Sequence, residues 1–555
     1  MTSPLPGNVP RLVSLSDYVH HYSGAAPDRD AVVFGATRLG WHGLDTAVAR
    51  CAEALAGSGV RAGDRVAMLT TPRPEFAIVL LAAQRIGAIW VGLNPRYRLA
   101  EMEYILDDCA PSIFFAVDND AAGRGYGAEL DAIRRARPSL AVVTIGEHGT
   151  FDTFLAQGGP AAAHEAGADD PTIIVYTSGT TGKPKGALLA HRNLLHCYES
   201  VSRSFAGKEH LRDGLRILCN LPPNHIGCLS EMLGNALIRG GTVVFQERFD
   251  PAEMLAAIPA ERITLFGGVP VMLQALFDHP GFASADLSSV RMIGWGGAPA
   301  PRTLVQRMLD TGAHLFTNYG LTEGGAVVSA TPPDYDLDIL CDTVGAPDAG
   351  ANHRLVDDDG TDVLPGRSGE IRLRGDGVFL GYWNDPGATA KALSSDGWLR
   401  TGDIARARAD GLWVLDGRRS EMFKSGGFNV YPREIELALE QCPGVALAAV
   451  VPVRDERYFE VGIAFVQHNP GQPCDAGAVL AQLRRELANY KVPKLLIVRD
   501  ALPMLPIGKL DKQDLRAQAQ ALWRDQRPNL GRSSARAPAP TSNQTASGAT
   551  PEEQE

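Results

Sequence analysis

No pair among the eight cysteines of this 555-residue chain stands in a Cys-x-x-Cys spacing. Cys51, Cys109, Cys197, Cys219, Cys228, Cys341, Cys442 and Cys474 are scattered. That argues against a zinc knuckle and a disulfide framework and predicts buried thiols in a reducing compartment. A long Lys/Arg stripe is missing too, and the formal net charge is -11, so the electrostatic footprint of a nucleic-acid binder is absent. The most apolar segment, Phe76 to Leu93, is interrupted by Gln84 and Arg85, leaving too short a clean run on either side to span a bilayer. Met1-Thr2-Ser3-Pro4-Leu5-Pro6-Gly7 has neither a basic region nor an apolar stretch. Export is therefore not expected, and a cytoplasmic location is.

What is present points to a packed body of more than one domain. The length exceeds the roughly 250 to 300 residues at which a single core stops growing. A composition of 45% hydrophobic and 21% charged residues is that of an ordinary globular chain. Leu44, Val48, Cys51 and Leu55 recur at helical spacing, with Gly57 where a C-cap would sit. β-like runs at 65–69, 88–93 and 112–116 alternate with helical stretches at 75–86 and 99–106, as in parallel βαβ units. The alternation returns between Ile217 and Tyr319, with β-like runs at 242–245, 263–266 and 292–293. Two α/β layers are thus predicted within the first 330 residues or so.

From His353 to Leu415 short strands broken by Asp-Gly and Pro-Gly turns predict a small β-rich subdomain. Beyond Arg418, helical faces led by Ile435, Leu439 and Cys442, and by Val479, Leu480, Leu483 and Leu487, predict a compact α+β domain. Past Trp523 the apolar content collapses, so residues 524–555 are expected to form a disordered tail. The resulting division is 1–417, a hinge at 418–421, a C-terminal domain at 422–523, and the tail.

Directly after the β-like Thr172 to Tyr176 comes Thr177-Ser178-Gly179-Thr180-Thr181-Gly182-Lys183-Pro184-Lys185-Gly186. Such a loop can wrap a polyphosphate: glycines let backbone N–H groups approach, hydroxyls donate, and lysines neutralise charge. It is not a Walker A loop, because Pro184 follows Lys183 where Ser or Thr is required. The string resembles the signature loop of the adenylate-forming superfamily, which includes acyl-CoA synthetases, peptide-synthetase adenylation domains and beetle luciferases. The motif order can be followed from about Ser14 to Gln518.

The resemblance implies an α/β fold with a large N-terminal domain and a small mobile α+β C-terminal domain, and it implies ATP, Mg²⁺ and coenzyme A as participants. Asn318-Tyr319-Gly320-Leu321-Thr322-Glu323 is similar to the adenylate-site motif, in which the aromatic ring stacks near adenine, Thr322 contacts the α-phosphate and Glu323 ligates magnesium. Gly296-Gly297-Ala298-Pro299 resembles the adenine-binding turn, and the bulky Trp295 before it is expected to shape the acyl pocket. Asp403 matches the aspartate that holds the ribose hydroxyls, and Arg418 the arginine that contacts ribose and phosphate. His225 aligns with a position beside the acid substrate; it need not act as a base, since a carboxylate is already ionised at neutral pH.

Lys509 resembles the lysine that meets the carboxylate and the α-phosphate during adenylation, while Lys424, Gly426 and Gly427 resemble the loop that lines the passage for pantetheine. Two departures stand out: Ser420 where the family usually has Asp or Lys at the hinge, and Phe459-Glu460 where its acyl-CoA synthetases commonly have Gly-Glu. The expected activity is acyl-CoA synthesis through an acyl adenylate, with a small-molecule carboxylic acid as substrate. An aromatic, alicyclic or fatty acyl group is favoured. Transfer to a carrier-protein thiol and a non-catalytic adenylate-binding homologue stand as alternatives. Oligomeric state is left open, a homodimer included.

Overall fold

The structure, a computed structural model, describes residues 5, 9–120, 122–159, 164–177, 183–426, 428–469, 471–505 and 510–530. Among the described residues two large mixed sheets form the N-terminal body. The first runs, edge to edge, Gly381–Tyr382, Lys185–Ala190, Pro171–Thr177, Ile89–Leu93, Arg65–Leu69, Ile113–Val117 and Ala141–Ile145. In the second, His314–Tyr319, Met292–Gly296, Leu265–Gly268, Arg216–Cys219, Thr242–Phe245 and Asp30–Phe34 lie parallel in that order. The predicted layers are therefore real but not sequential: Asp30–Phe34 and Thr37–Gly40, near the start of the chain, complete the edge of the second sheet.

The helix Pro74–Arg85 shows how the sheets are held together. Phe76 through Gln84 are all buried, the all-round burial of a helix covered on every side. The ring of Phe76 lies 5.5 Å from Trp90 in the first sheet and 6.1 Å from Phe245 in the second. Each such side chain contributes about 1.5–3 kcal/mol when fully buried. Arg85, which interrupts the apolar run, is the last residue of the helix and pairs with Asp45 at 2.6 Å. The sequence places a β-run at 263–266; the strand is instead Leu265–Gly268. The Gly-Gly pair, turn-like by composition, is held in register with Gly294 and Trp295 of the neighbouring strand, so tertiary pairing overrides local propensity.

A four-stranded antiparallel sheet, Asn352–Val356, Gly369–Arg374, Leu399–Ala407 and Trp413–Arg418, forms the β-rich subdomain among the described residues. Beyond it Phe423–Ser425, Phe428–Val430, Val445–Asp455, Phe459–His468 and Leu495–Arg499 build a last sheet packed by the helices Pro432–Glu440, Ala476–Glu486 and Lys512–Leu530. That last helix runs to Leu530, and residues 531–555 of the expected tail lie outside the described ones. All eight cysteines are free, and six are buried; Cys341 and Cys474 are only half-buried. No described helix is long and apolar enough to cross a membrane.

Candidate active site

A cavity of about 850 Å³ opens on the interior face of the second sheet. Strand alternation explains its wall. Along His314–Tyr319, Phe316 and Asn318 border the cavity, while Leu315, Thr317 and Tyr319 are buried on the opposite face. Gly294 and Gly296 lie in register with Phe316 and Asn318. A Cβ at Gly296 would meet Asn318 Oδ1 at 2.4 Å, so any side chain there would have to displace the neighbouring carboxamide. Gly320 is more tightly constrained still, because a Cβ would stand 1.4 Å from the Ala326 carbonyl oxygen.

Trp295, bulky where the family more often has a small residue, is expected to shape the acyl pocket. Trp295 borders the cavity, but alternation sends its ring to the other face, into a cluster with Ile293, Leu304 and Leu315. The expectation fails because a single step along a strand reverses the side-chain direction.

At the carboxyl ends of the strands stand Thr177, Gly296, Gly297, Gly320, Thr322, Glu323 and Arg418, all bordering the cavity. Thr177 pairs across the hairpin with Lys185, so two antiparallel strands grip both ends of the glycine-rich loop; Ser178, Gly179, Thr180, Thr181 and Gly182 lie outside the described residues. Tyr104 supports the loop's exit, its hydroxyl donating to the Pro184 carbonyl at 3.1 Å and its ring carrying Lys183 Nζ 5.5 Å from the centroid. Lys185 Nζ lies 5.1 Å from the Tyr382 ring centroid, and the Tyr382 hydroxyl donates to Glu323 Oε1 at 2.8 Å. Loop, aromatic ring and carboxylate thus form one connected set.

Tyr319 and Asp403 do not border the cavity; they stand behind it. The Tyr319 hydroxyl donates to Asp403 Oδ2 at 2.7 Å, and Arg418 Nε sits 2.9 Å from Asp403 Oδ1. Burial, together with the Asp403 charge, raises the Tyr319 phenol well above its ordinary value, so it acts here as a donor. Ala298 and Pro299 lead towards the helix Arg302–Leu309 and are not part of the cavity wall.

His225 is exposed on the cavity wall, not a core histidine. It precedes a π-helix, Gly227–Gly234, whose Gly227, Glu231 and Met232 also border the cavity. Wide helical turns of this kind cluster at functional sites. Asn318 Nδ2 donates to Glu231 Oε2 at 2.7 Å; burial raises the Glu231 carboxyl above its usual range despite that bond.

Lys509 and Gly427 lie outside the described residues. An isolated bridge between Met504 and Leu510 closes the base of the Lys509 loop, and Leu505 and Gln513 on either side border the cavity. Lys424 and Gly426, by contrast, are exposed and do not border it.

Sequence reading missed several wall residues. Asn94, Arg96, Tyr97 and Arg98 follow the buried strand Ile89–Leu93, and a polar run at the carboxyl end of a buried strand was a usable signal. Tyr382, Arg212 and Asn235 offered none, since nothing in their own neighbourhoods points to a site.

The AMP-binding enzyme family profile matches residues 19–383, and that of the AMP-binding enzyme C-terminal domain matches 434–509. The chain belongs to this family, the adenylate-forming enzymes, and within it to the acyl-CoA synthetases. It is 38% identical to the indoleacetate–CoA ligase of Aromatoleum aromaticum over 91% of this chain and 98% of that protein. It is 37% identical to a feruloyl-CoA synthase of an Amycolatopsis species over 88% of this chain and 96% of that protein. The ATP-bound crystal structure of MatB from Rhodopseudomonas palustris superposes with a TM-score of 0.81 at 29% identity, covering 92% of this chain and 99% of that one.

Proposed function

We propose that this chain joins a ring-bearing carboxylic acid to coenzyme A at the expense of ATP, in two steps at one site. In the first, a carboxylate oxygen attacks the α-phosphorus of ATP and pyrophosphate leaves. In the second, the coenzyme A thiol attacks the acyl-adenylate carbonyl, the thiol proton is lost, and AMP leaves. The observation that carries this reading is the continuity of the cavity: it joins Thr177, Thr322, Glu323 and Arg418 at one end to an apolar channel walled by Phe205, Phe316 and Met232 at the other. A nucleotide and an acid can therefore meet end to end.

Thr177 and the loop after it would bind the phosphates, Thr322 the α-phosphate, and Arg418 with Asp403 the ribose. Glu323 suits a magnesium ion: it is a hard oxygen donor, oriented by Tyr382. No group of three or more such ligands occurs among the described residues, so phosphate oxygens would complete the shell. The ion, when bound, would supply charge neutralisation on the phosphates. Lys509 would add a positive charge where negative charge builds up on the carboxylate and the α-phosphate.

Turning the C-terminal domain about residues 418–421 would exchange the Lys509 loop for the one around Gly426, opening a passage for pantetheine. Ring-bearing acids fit the aromatic channel and accord with relatives named for indoleacetate and ferulate. The scattered cysteines fit a cytoplasmic location.

The test is pyrophosphate release with purified enzyme and a panel of aromatic, fatty and polycyclic acids, with and without coenzyme A. Release that depends on a ring-bearing acid, with stoichiometric acyl-CoA formed, supports the proposal. An adenylate that accumulates and ignores coenzyme A points to a carrier-protein thiol; no release with any acid overturns the ligase reading.

A further inference from the structure

Arg212 lies at the end of the cavity away from the phosphate-binding residues. Leu265 and Met292, which border the cavity there, begin the parallel strands that end in Gly268 and Gly296, and Leu215 and Ile217, which also border it, lie at the start of the neighbouring strand Arg216–Cys219. Four residue steps at ~3.3 Å each separate the two ends by about 13 Å. A rigid acid reaching from one to the other would therefore bring its far end towards this arginine.

The residue is only 4% exposed, yet no carboxylate among the described residues pairs with it. Its guanidinium donates to Ser202 Oγ and, at 2.9 Å, to Asn235 Oδ1, and it lies 4.9 Å from the Tyr198 ring centroid. Other well-covered arginines do have carboxylates: Arg433 has Glu440 at 2.9 Å and Arg203 has Asp348 at 2.6 Å. Burial pulls the Arg212 group down to about 10, which leaves it charged at neutral pH. A buried cation held by neutral dipoles is costly unless something compensates it.

Asn235 is itself fixed. Both hydrogens of its amide go to carbonyls of the π-helix, Ser230 at 3.2 Å and Glu231 at 3.1 Å, which turns its oxygen to Arg212. The cation is thus oriented from behind, on the wall of the same cavity, with five N–H donors of which Ser202 and Asn235 engage two.

We infer that Arg212 recognises an acceptor oxygen, keto or carboxylate, carried by the acid at the end far from its reacting carboxyl group. This rests on the ligase reading and narrows it: the substrate is a ring-bearing acid with a distal oxygen function, not a plain hydrocarbon. Arg212 is then a specificity-determining residue remote from the reacting atoms.

The experiment compares matched acids: one- and two-ring arylpropanoic acids, unsubstituted or bearing an acetyl or carboxylate group opposite the propanoic chain. Pyrophosphate release is measured for the wild type, Arg212→Met and Arg212→Lys. For the wild type, kcat/KM for an acceptor-bearing acid should exceed that for its unsubstituted counterpart at least tenfold. In R212M that ratio should fall close to one, with the loss mainly in KM, and R212K should restore part of it. The acetyl and carboxylate arms decide which oxygen is preferred.

The inference is overturned if the wild type is indifferent to the distal oxygen in every matched pair, or if R212M lowers kcat/KM equally for all acids, as a purely structural arginine would. The wild-type comparison stands even if the variants fail to fold. Absence of release with every acid, substituted or not, would instead be the failure of the ligase reading itself.

Discussion

Both carboxylate oxygens of Asp403 already have partners, Tyr319 Oη and Arg418 Nε, so a ribose hydroxyl bound there must share or displace them. Asp348 has a structural task. Burial opposes its ionisation, but the bidentate Arg203 overrides this and holds the carboxyl below the usual carboxylate range. A lowered acid contributes stability above its unfolded value and loses it as pH falls through the folded one. Asp348→Asn should therefore cost about 3 kcal/mol at neutral pH in urea unfolding, and the gap to wild type should close on acidification. A gap that persists in acid would show that the pair is not the cause. Lys509 makes a different claim. K509A should slow acid-dependent pyrophosphate release by about 10²–10³-fold while leaving thioester formation from supplied acyl adenylate near normal, measured separately; equal loss in both half-reactions would refute its assigned role.

At the scale of elements, the hairpin between Val445–Asp455 and Phe459–His468 carries a mismatch. Phe459, where the family's synthetases commonly have glycine, takes φ +73° and is 74% exposed. A bulky residue in the left-handed region costs roughly 1–2 kcal/mol, and glycine's larger unfolded-state entropy gives back part of that. Phe459→Gly should accordingly raise the midpoint of thermal unfolding slightly, a net gain of up to about 1 kcal/mol, read by calorimetry. A lower midpoint would mean that the exposed ring makes stabilising contacts. The π-helix Gly227–Gly234 is the other irregular element, and it fixes the direction of Asn235 through the Ser230 and Glu231 carbonyls.

For the whole molecule, the proposed alternation needs a backbone that can turn near Ser420. On one side of that segment Arg419 reaches Asp358 at 2.8 Å; on the other, Lys512 pairs with Glu421 at 2.6 Å and Glu436 at 2.9 Å. Ser420→Pro, by fixing φ at about −65°, should slow coenzyme A ligation more than tenfold relative to the pyrophosphate burst in a single turnover. Matched slowing of both would argue against rotation at this point.

The strand leading into the glycine-rich segment after Thr177, the strand into the Asn318 to Glu323 segment, the change to short strands after His353 and the amphipathic helices beyond Pro432 were legible in the chain, because each depends on residues close together in sequence. Leu44, Val48, Cys51 and Leu55 did bury one helical face. The tertiary structure alone decided the rest: that the Trp295 ring turns from the cavity, that Tyr382 reaches Glu323, that Asp30–Phe34 joins a sheet completed only by Ala346–Pro347, and that Arg212 is buried on the cavity wall with no carboxylate partner among the described residues. These facts depend on strand register and on segments brought together across the core, and no local pattern encodes such a meeting.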